Sequence, residues 1–261
     1  MFGSLQERGF DIQCVSHAAA ILENDFPEGV RELEASLLEV DIPITEIIGS
    51  GGGEAKGTQR LRRSLASRQW RKTIFEIRKT INGIERESIS HEVDHVRAFD
   101  SGVIALEIEW NNKDPFFDRD LENFKRLHAE GAISVGVIVT RGSTLQERLR
   151  YLVYRFTEDR NIRCFEDLEA LGLDPTRRQK AAVMKRVDRA IDPVPFDLAW
   201  SHHFVADKFG AATTHWQKLM DRIDRGVGNP CPLVLVGLPA SVVSFDPAAR
   251  IDADSETPAD G

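Results

Sequence analysis

The part of the chain that most constrains its fold is a segment that predicts a β-hairpin ending in acidic residues. Residues 92–110 first alternate apolar and polar side chains and then become mostly apolar, and an Asp-Ser-Gly sequence at 100–102 between them is typical of a turn. Residues i and i+2 of a strand share a face, so Glu107 and Glu109 point the same way. A turn centred on Ser101-Gly102 would set Asp94 roughly opposite this pair. Three clustered carboxylates are costly unless a proton or a divalent cation neutralises them, a geometry typical of Mg²⁺-dependent phosphodiesterases.

The segments around the hairpin predict the fold class. A helical stripe of apolar residues follows at 116–130, and residues 133–140 form an almost wholly apolar run of the length of a central strand. This order indicates an α/β fold, with a central mixed β-sheet flanked by helices. It also favours a functional site made by the clustered acids over the alternative, an ordinary hairpin with solvent-facing acids. We expect further helices within residues 15–40, 145–155 and 177–191 and a second buried strand at 233–238.

Composition indicates one large globular domain, which we expect to span residues 1–245, followed by an acidic, flexible tail at 246–261. No apolar run approaches the roughly 18–20 residues needed to span a bilayer, so we expect no membrane partner. The N-terminus lacks the features of a signal peptide. The three cysteines are far apart and lack CxxC spacing, which favours a reducing, cytoplasmic location.

A basic run lies upstream of the hairpin in a chain whose net charge is −8. We expect residues 59–79 to form a basic amphipathic helix or helix pair, with Leu61, Leu65, Trp70 and Ile74 as its apolar stripe. The run is either a solvated helix face or a surface for a polyanion. Its cations are Lys56, Arg60, Arg62, Arg63, Arg68, Arg71, Lys72, Arg78 and Lys79, against Glu76.

Two other patterns carry little chemistry. The glycine loop at 49–57 departs from the phosphate-binding consensus on both sides of Lys56, so we expect no nucleotide cofactor and interpret it as a loop that orders on a polyanionic ligand. His202 and His203 are adjacent, which in a strand directs them to opposite faces, and we interpret them as surface or core histidines rather than metal ligands.

Asp94, then Glu107-x-Glu109 on the next strand, followed by a helix and a buried strand, resembles the core of the PD-(D/E)XK nucleases. The lysine of that motif is replaced by Glu109, which matches the E-x-E variant of BamHI, and the chain resembles the type II restriction endonucleases grouped with BglII and BamHI. The similarity covers roughly residues 30–240. Its most similar stretches are residues 107–121, 136–141, 208–219 and 228–233.

The resemblance implies a chemistry for the hairpin. Asp94 and Glu107 would hold Mg²⁺ with the Ile108 carbonyl, and Glu109 would orient or deprotonate the attacking water. Because glutamate cannot supply the positive charge of lysine, a second metal ion or a nearby arginine becomes more strongly required. The products implied are a 5′-phosphate and a 3′-hydroxyl. An acid from the upstream helices would complete the site, with Glu76 our first choice and Glu39 our second.

Residues just beyond the strand ends are the first candidates for DNA contacts. A second group lies at 208–215, where Thr213 or Thr214 could instead cap the helix that follows. A palindromic target would require a homodimer. The candidates are Lys56, Asn111, Asn112, Lys113, Arg141, Ser143 and Thr144, and then Lys208, Thr213, Thr214 and His215.

The leading hypothesis is therefore a Mg²⁺-dependent restriction endonuclease that cuts double-stranded DNA at a short palindrome. A PD-(D/E)XK nuclease of repair or recombination is the enzymatic alternative. A DNA-binding module whose acid cluster is only structural is the non-enzymatic one.

Overall fold

The structure, a computed structural model, describes residues 1–49, 56–246 and 251. Most of the glycine loop and of the acidic tail therefore lies outside the described residues. The strands are β1 (Asp11–Val15), β2 (Ile42–Pro43), β3 (Arg71–Ile81), β4 (Ile84–Phe99), β5 (Gly102–Glu109), β6 (Val135–Arg141), β7 (Leu233–Leu238) and β8 (Val243–Ser244). The helices are α1 (Gly3–Glu7), α2 (Ala18–Asp25), α3 (Pro27–Leu38), α4 (Ile44–Gly49), α5 (Lys56–Ser67), α6 (Phe116–Ala129), α7 (Ser143–Asp159), α8 (Phe165–Ala170), α9 (Arg177–Val187), α10 (Phe196–Lys208) and α11 (Trp216–Asp224), with a short 3₁₀ helix at Ala240–Val242.

A mixed β-sheet lies at the centre, with the strand order β1-β7-β6-β5-β4-β3 in the described part of the chain. Strands β5, β6 and β7 are parallel, whereas β1, β4 and β3 pair antiparallel with their neighbours. Every residue of β6 and β7 is buried, as expected of parallel strands covered on both faces. The predicted α/β class with a central mixed sheet flanked by helices is confirmed.

Helices cover the two faces of the sheet unequally. On one face, Leu106 and Val137 pack into a large core with residues from α1–α5 and α7–α10. On the other face, Ala105 and Ile138 pack against α6 and α11. A side chain at Gly136 would come within 2.5 Å of the Phe124 ring, so glycine there lets α6 lie directly on β6. The acidic residues of β5 point to this second face, because they share the parity of Ala105.

The prediction of a helix or helix pair at 59–79 was wrong in its second half. Helix α5 ends at Ser67, and the following residues form β3, paired antiparallel with β4. The sequence Thr-Ile-Phe-Glu-Ile at 73–77 is rich in strand formers, and the pairing with β4 decides its state. Ile74, placed in the helical stripe, is 60% exposed.

The other secondary-structure predictions are partly confirmed and partly wrong. The helices within 15–40, at 116–130 and around 145–155 and the strands at 133–140 and 233–238 are confirmed, while the helix at 177–191 ends at Val187. His202 and His203 lie on α10 and not in a strand, and β1 was not predicted. Within the described ranges, no helix is both long and apolar enough to span a lipid bilayer.

Candidate active site

The turn between β4 and β5 fixes which acids face each other. Phe99 pairs with Gly102 and His95 with Leu106, so the two-residue turn is Asp100-Ser101, one position earlier than expected. A side chain at Gly102 would lie 2.3 Å from the Ser134 hydroxyl, and its φ of 145° favours glycine. If the β4–β5 register is continued by one residue beyond the His95–Leu106 pair, Asp94 lies opposite Glu107, as the sequence predicted.

A register shift in β4 occurs at Asp94. Arg71 of β3 pairs with Val96 and Thr73 pairs with Val93, so β4 has one more residue than β3 in this interval. Such an extra residue bends the strand locally and redirects its side chains, and it is frequent beside active sites. Here the Asp94 backbone N–H donates a hydrogen bond to the Glu107 carboxyl. The irregularity therefore brings the backbone and the carboxyl of residue 94 to the end of β5.

A third buried acid joins the two glutamates of β5. Glu107 is 7% exposed, Glu109 2% and Asp120, on α6, 1%. Asp120 was not predicted, although it lies on the apolar stripe of its helix, next to Leu121 and between Phe117 and Phe124. A carboxylate at a core position of an amphipathic helix is the sequence feature that could have identified it.

We call Asp94, Glu107, Glu109 and Asp120 the acid cluster. Burial and the repulsion between carboxylates dominate its electrostatics. Burial, followed by the nearby charges of Asp120 and Asp94, raises the pKa of Glu107 to about 9. Burial also raises the pKa of both Glu109 and Asp120, which lie close enough to share a proton. When both are ionised, Asp120 Oδ2 has no hydrogen-bond donor among the described residues. The cluster therefore retains protons at neutral pH unless another positive charge replaces them.

Two neighbouring side chains partly balance the cluster. Arg119 donates from Nε to Asp120 Oδ1 at 2.8 Å, and its Nη2 lies 3.7 Å from Glu109 Oε1. Asn112 donates from Nδ2 to Glu109 Oε2 at 2.6 Å. Glu109 stands where the nuclease motif has a lysine, and Arg119 brings a positive charge close to that position.

The donor atoms fit an oxygen-preferring divalent cation. As they stand, no three His, Cys, Asp or Glu side chains of the described residues are close enough together to enclose a metal ion. Asp94 and Glu107 nevertheless supply hard carboxyl oxygens, and Ile108 between the glutamates lies beyond the last β4–β5 pair, at Leu106. The pKa of Glu107 is raised first by burial and then by the charges of Asp120 and Asp94, and a bound cation would offset both effects, so the residues fit Mg²⁺ or a similar ion.

Asp94 also lines a cleft with basic walls, which we call the arginine cleft. The basic run divides in two: Arg60 forms an ion pair with Glu46, and Arg68 one with Glu39. Other cations of this region line the same cleft as Asp94, although Lys72 also pairs with Glu92. The cleft is lined by Arg62, Arg63, Ala66, Trp70, Arg71, Lys72, Asp94 and His95. A negatively charged polymer in this cleft would run directly past Asp94.

The chain matches, over residues 10–238, the family described as restriction endonuclease BglII/BglIII. This match covers most of the chain. The chain belongs to the BglII/BglIII restriction endonuclease family. No curated protein matches it significantly. The endonuclease family implies a nuclease that binds DNA, and the matched region includes the acid cluster and the arginine cleft.

The structure does not bring the two expected upstream acids of the endonuclease to the cluster. Glu76 lies on the exposed part of β3, opposite Ser90, and pairs with Arg78 at 2.8 Å. Glu39 follows α3, where Ser64 and Arg68 donate hydrogen bonds to it. Both were predicted as acids of upstream helices, and the helix expected around Glu76 is strand β3. Asp120 occupies the position that was assigned to them.

Three of the predicted DNA contacts of the endonuclease make hydrogen bonds within the protein. Arg141 is fully buried, where Nη2 donates to Thr213 Oγ1 and to the Thr214 carbonyl oxygen, both at 2.6 Å. Ser143 donates from both its N–H and its hydroxyl to the Asp11 carboxylate, and Thr144 Oγ1 accepts from the Ala240 N–H. Arg141 therefore has no free surface toward a base edge, whereas Ser143 is half-buried and Thr144 is exposed.

The segment at 208–215 also differs from expectation. Helix α11 begins after His215 without a side-chain cap, so Thr213 and Thr214 do not cap it. His215 is buried, and its pKa falls to about 4 because of that burial and the nearby Arg141, which keeps the ring neutral at physiological pH. The Lys208 carbonyl oxygen accepts a hydrogen bond from Asn111 Nδ2.

Some of the predicted contacts keep an accessible position. Lys113 and Asn112 are exposed at the rim of the acid cluster, Thr144 is exposed near the start of α7, and Lys56 is the first residue of α5. Lys113 also pairs as an isolated bridge with Thr213. The sequence missed the cleft-lining arginines as individual contacts, although the basic run had indicated the region.

Proposed function

We propose that this endonuclease hydrolyses double-stranded DNA at a short palindromic sequence in the presence of Mg²⁺, leaving 5′-phosphate and 3′-hydroxyl ends. The observation that carries the proposal is the position of the acid cluster at the end of the arginine cleft. Cleavage of a phosphodiester requires both a site for a divalent cation and a way to hold a polyanion beside it. Asp94 belongs to both features.

Asp94 and Glu107, with the Ile108 carbonyl, would hold the metal ion. When bound, the ion would lower the pKa of a water molecule and stabilise negative charge on the phosphate. The bulge at Asp94 supports this assignment, because it places an acid of β4 beside an acid of β5. The buried surroundings strengthen each electrostatic interaction relative to water.

Glu109 would accept a proton from the attacking water. Its raised pKa, caused first by burial, brings it nearer to neutral pH, where a general base is most effective. Asn112 orients one oxygen of its carboxyl, and Asp120 can hold a proton beside the other. Arg119 supplies positive charge at the same place, in a role that a lysine would otherwise fill.

The arginine cleft would bind phosphates and set the register of the duplex, while exposed side chains at the rim would contact bases. Lys113 and Asn112 are accessible candidates for base contacts. A palindrome has twofold symmetry, so a symmetric homodimer would present two such clefts to the two strands.

Plasmid digestion tests the proposal. With Mg²⁺, the wild-type protein should give discrete fragments with ends that ligate, and Glu107→Ala should lower the cleavage rate by more than about 100-fold because it removes a metal ligand. DNA binding by the variant should persist. Glu122→Ala is the matched control, since Glu122 lies on α6 in an ion pair with Lys125, outside the acid cluster.

Other outcomes would contradict the proposal in different ways. A smear would exclude site specificity, and cleavage that requires DNA ends or branched DNA would favour a repair or recombination nuclease. Unchanged cutting by Glu107→Ala would show that the acid cluster is not the catalytic site.

A further inference from the structure

A continuous chain of hydrogen bonds joins the Glu109 carboxyl to a buried arginine. Asn112 Nδ2 donates to Glu109 Oε2 at 2.6 Å, and the Asn112 backbone N–H donates to Thr214 Oγ1 at 3.1 Å. The Thr214 carbonyl oxygen in turn accepts from Arg141 Nη2 at 2.6 Å and from Nε at 3.2 Å. Residues far apart in the sequence are thus connected through three direct contacts.

The far end of this chain is rigid. Arg141 and Thr214 are both 0% exposed, and the Arg141 guanidinium lies over the Phe209 ring at 5.0 Å. Within the described residues, Arg141 has hydrogen bonds to Thr213 and Thr214 but no ion pair, so a full charge is buried against neutral groups. Such burial is costly, and Arg141 Nη1 has no hydrogen-bond partner within the described ranges, so the bonds from Nε and Nη2 to residues 213 and 214 are the ones that stabilise the guanidinium. These bonds fix the backbone at residues 213 and 214 in one position.

The near end is not rigid by itself. Asn112 is exposed, and an exposed side chain in a loop samples several rotamers unless its backbone is held. The Thr214 hydroxyl supplies that restraint by accepting from the Asn112 N–H, beside the bond from the Thr214 N–H to the Asn112 carbonyl oxygen at 2.8 Å. The Glu109 backbone is held separately, because Thr140 Oγ1 donates to its carbonyl oxygen at 2.7 Å.

We infer that Thr214 and Arg141 are positioning residues for catalysis, which hold the Glu109 carboxyl in its working orientation through Asn112. This inference rests on the proposed function of Glu109. A catalytic group must be held to within about 0.5 Å and 10–20° of its productive geometry. Loss of the Asn112 contact would remove the donor from Glu109 Oε2 and leave that carboxyl free to rotate out of this orientation, although the segment at residues 213 and 214 need not touch DNA.

Thr214→Val tests the inference because it keeps the side-chain shape and removes only the hydroxyl. We expect the single-turnover cleavage rate to fall about 10-fold, the range found for groups that orient a catalytic ligand, with DNA affinity within about twofold of wild type. Thr214→Ser keeps the hydroxyl and should restore at least half of the wild-type rate. The Asn112 backbone amide should exchange with solvent faster in Thr214→Val than in Thr214→Ser, a measurement that needs no cleavage.

A double-mutant cycle with Asn112→Ala separates positioning from a general loss of stability. If Thr214 acts through Asn112, then Thr214→Val should slow the Asn112→Ala protein less than twofold further. Multiplicative effects of the two substitutions, or a wild-type rate for Thr214→Val, would overturn the inference. Failure of the wild-type protein to cut any DNA would instead refute the proposed function, and unchanged amide exchange at Asn112 would still decide against the positioning chain.

Discussion

At the scale of a single residue, Glu107 makes the stability of the metal-free protein depend on pH. Its pKa is about 9 in the folded state, chiefly through burial, against 4.5 ordinarily. Between these values the folded state holds a proton that the unfolded state has released, so the free energy of unfolding falls as pH rises through this window, by up to about 1.4 kcal/mol per pH unit. Glu107→Gln removes this dependence and should stabilise the metal-free protein at pH 8 by roughly 1–3 kcal/mol.

Urea unfolding at pH 5, 6.5 and 8 in the presence of a chelator measures this effect. The two proteins should be similar at pH 5 and should diverge as pH rises. Glu122→Gln is the control, because Glu122 is 41% exposed and should leave the pH dependence unchanged. Parallel stability profiles for wild type and Glu107→Gln would show that Glu107 is ionised in the folded metal-free protein.

The sequence predicted the three acids of the hairpin but not the fourth. Asp94, Glu107 and Glu109 are related by strand periodicity and one turn, so local rules suffice to bring them together. Asp120 reaches them only because α6 docks on β6 over Gly136, a long-range contact that residue spacing does not encode. Arg141 shows the converse, since nothing local indicates that a polar residue at a strand end will be covered by the segment around Thr214.

At the scale of elements, the sequence did not predict the boundary between α5 and β3, because no residue that commonly ends a helix marks it. The apolar residues Leu61, Leu65, Trp70 and Ile74 are spaced as in one long amphipathic helix. The chain leaves the helix at Gln69, whose φ is 68°, a conformation that sequence rules associate with glycine or asparagine. The break matters for function because it sends Arg71 and Lys72 into a strand, opposite the α5 arginines across the arginine cleft.

The role of the arginine cleft in DNA binding can be tested by comparing substitutions of two arginines from the same region. Arg63 lines the cleft, whereas Arg68, just beyond α5, is held by Glu39 at 2.6 Å. Arg63→Ala should weaken binding of a random DNA duplex about three- to tenfold near 0.1 M salt and lower the slope of log affinity against log salt by about 1. Arg68→Ala should change neither quantity. Titration in a chelator over a range of salt concentrations gives both, and equal effects of the two variants would argue against the cleft as the DNA site.

At the scale of the whole molecule, the proposed cutting of both strands of a palindrome bears on how many copies of the chain act together. The part of the chain that the structure describes contains one such acid cluster, at the end of one arginine cleft. The two strands of a palindrome present equivalent phosphodiesters related by a twofold axis, so two copies of the chain would match them. A dimer with one wild-type and one Glu107→Ala subunit should therefore cut only one strand. We expect such mixed dimers, isolated through two different affinity tags, to convert supercoiled plasmid to nicked circles, whereas wild-type dimers yield linear DNA. Linear products from the mixed dimers at the wild-type rate would mean that one subunit cuts both strands in succession.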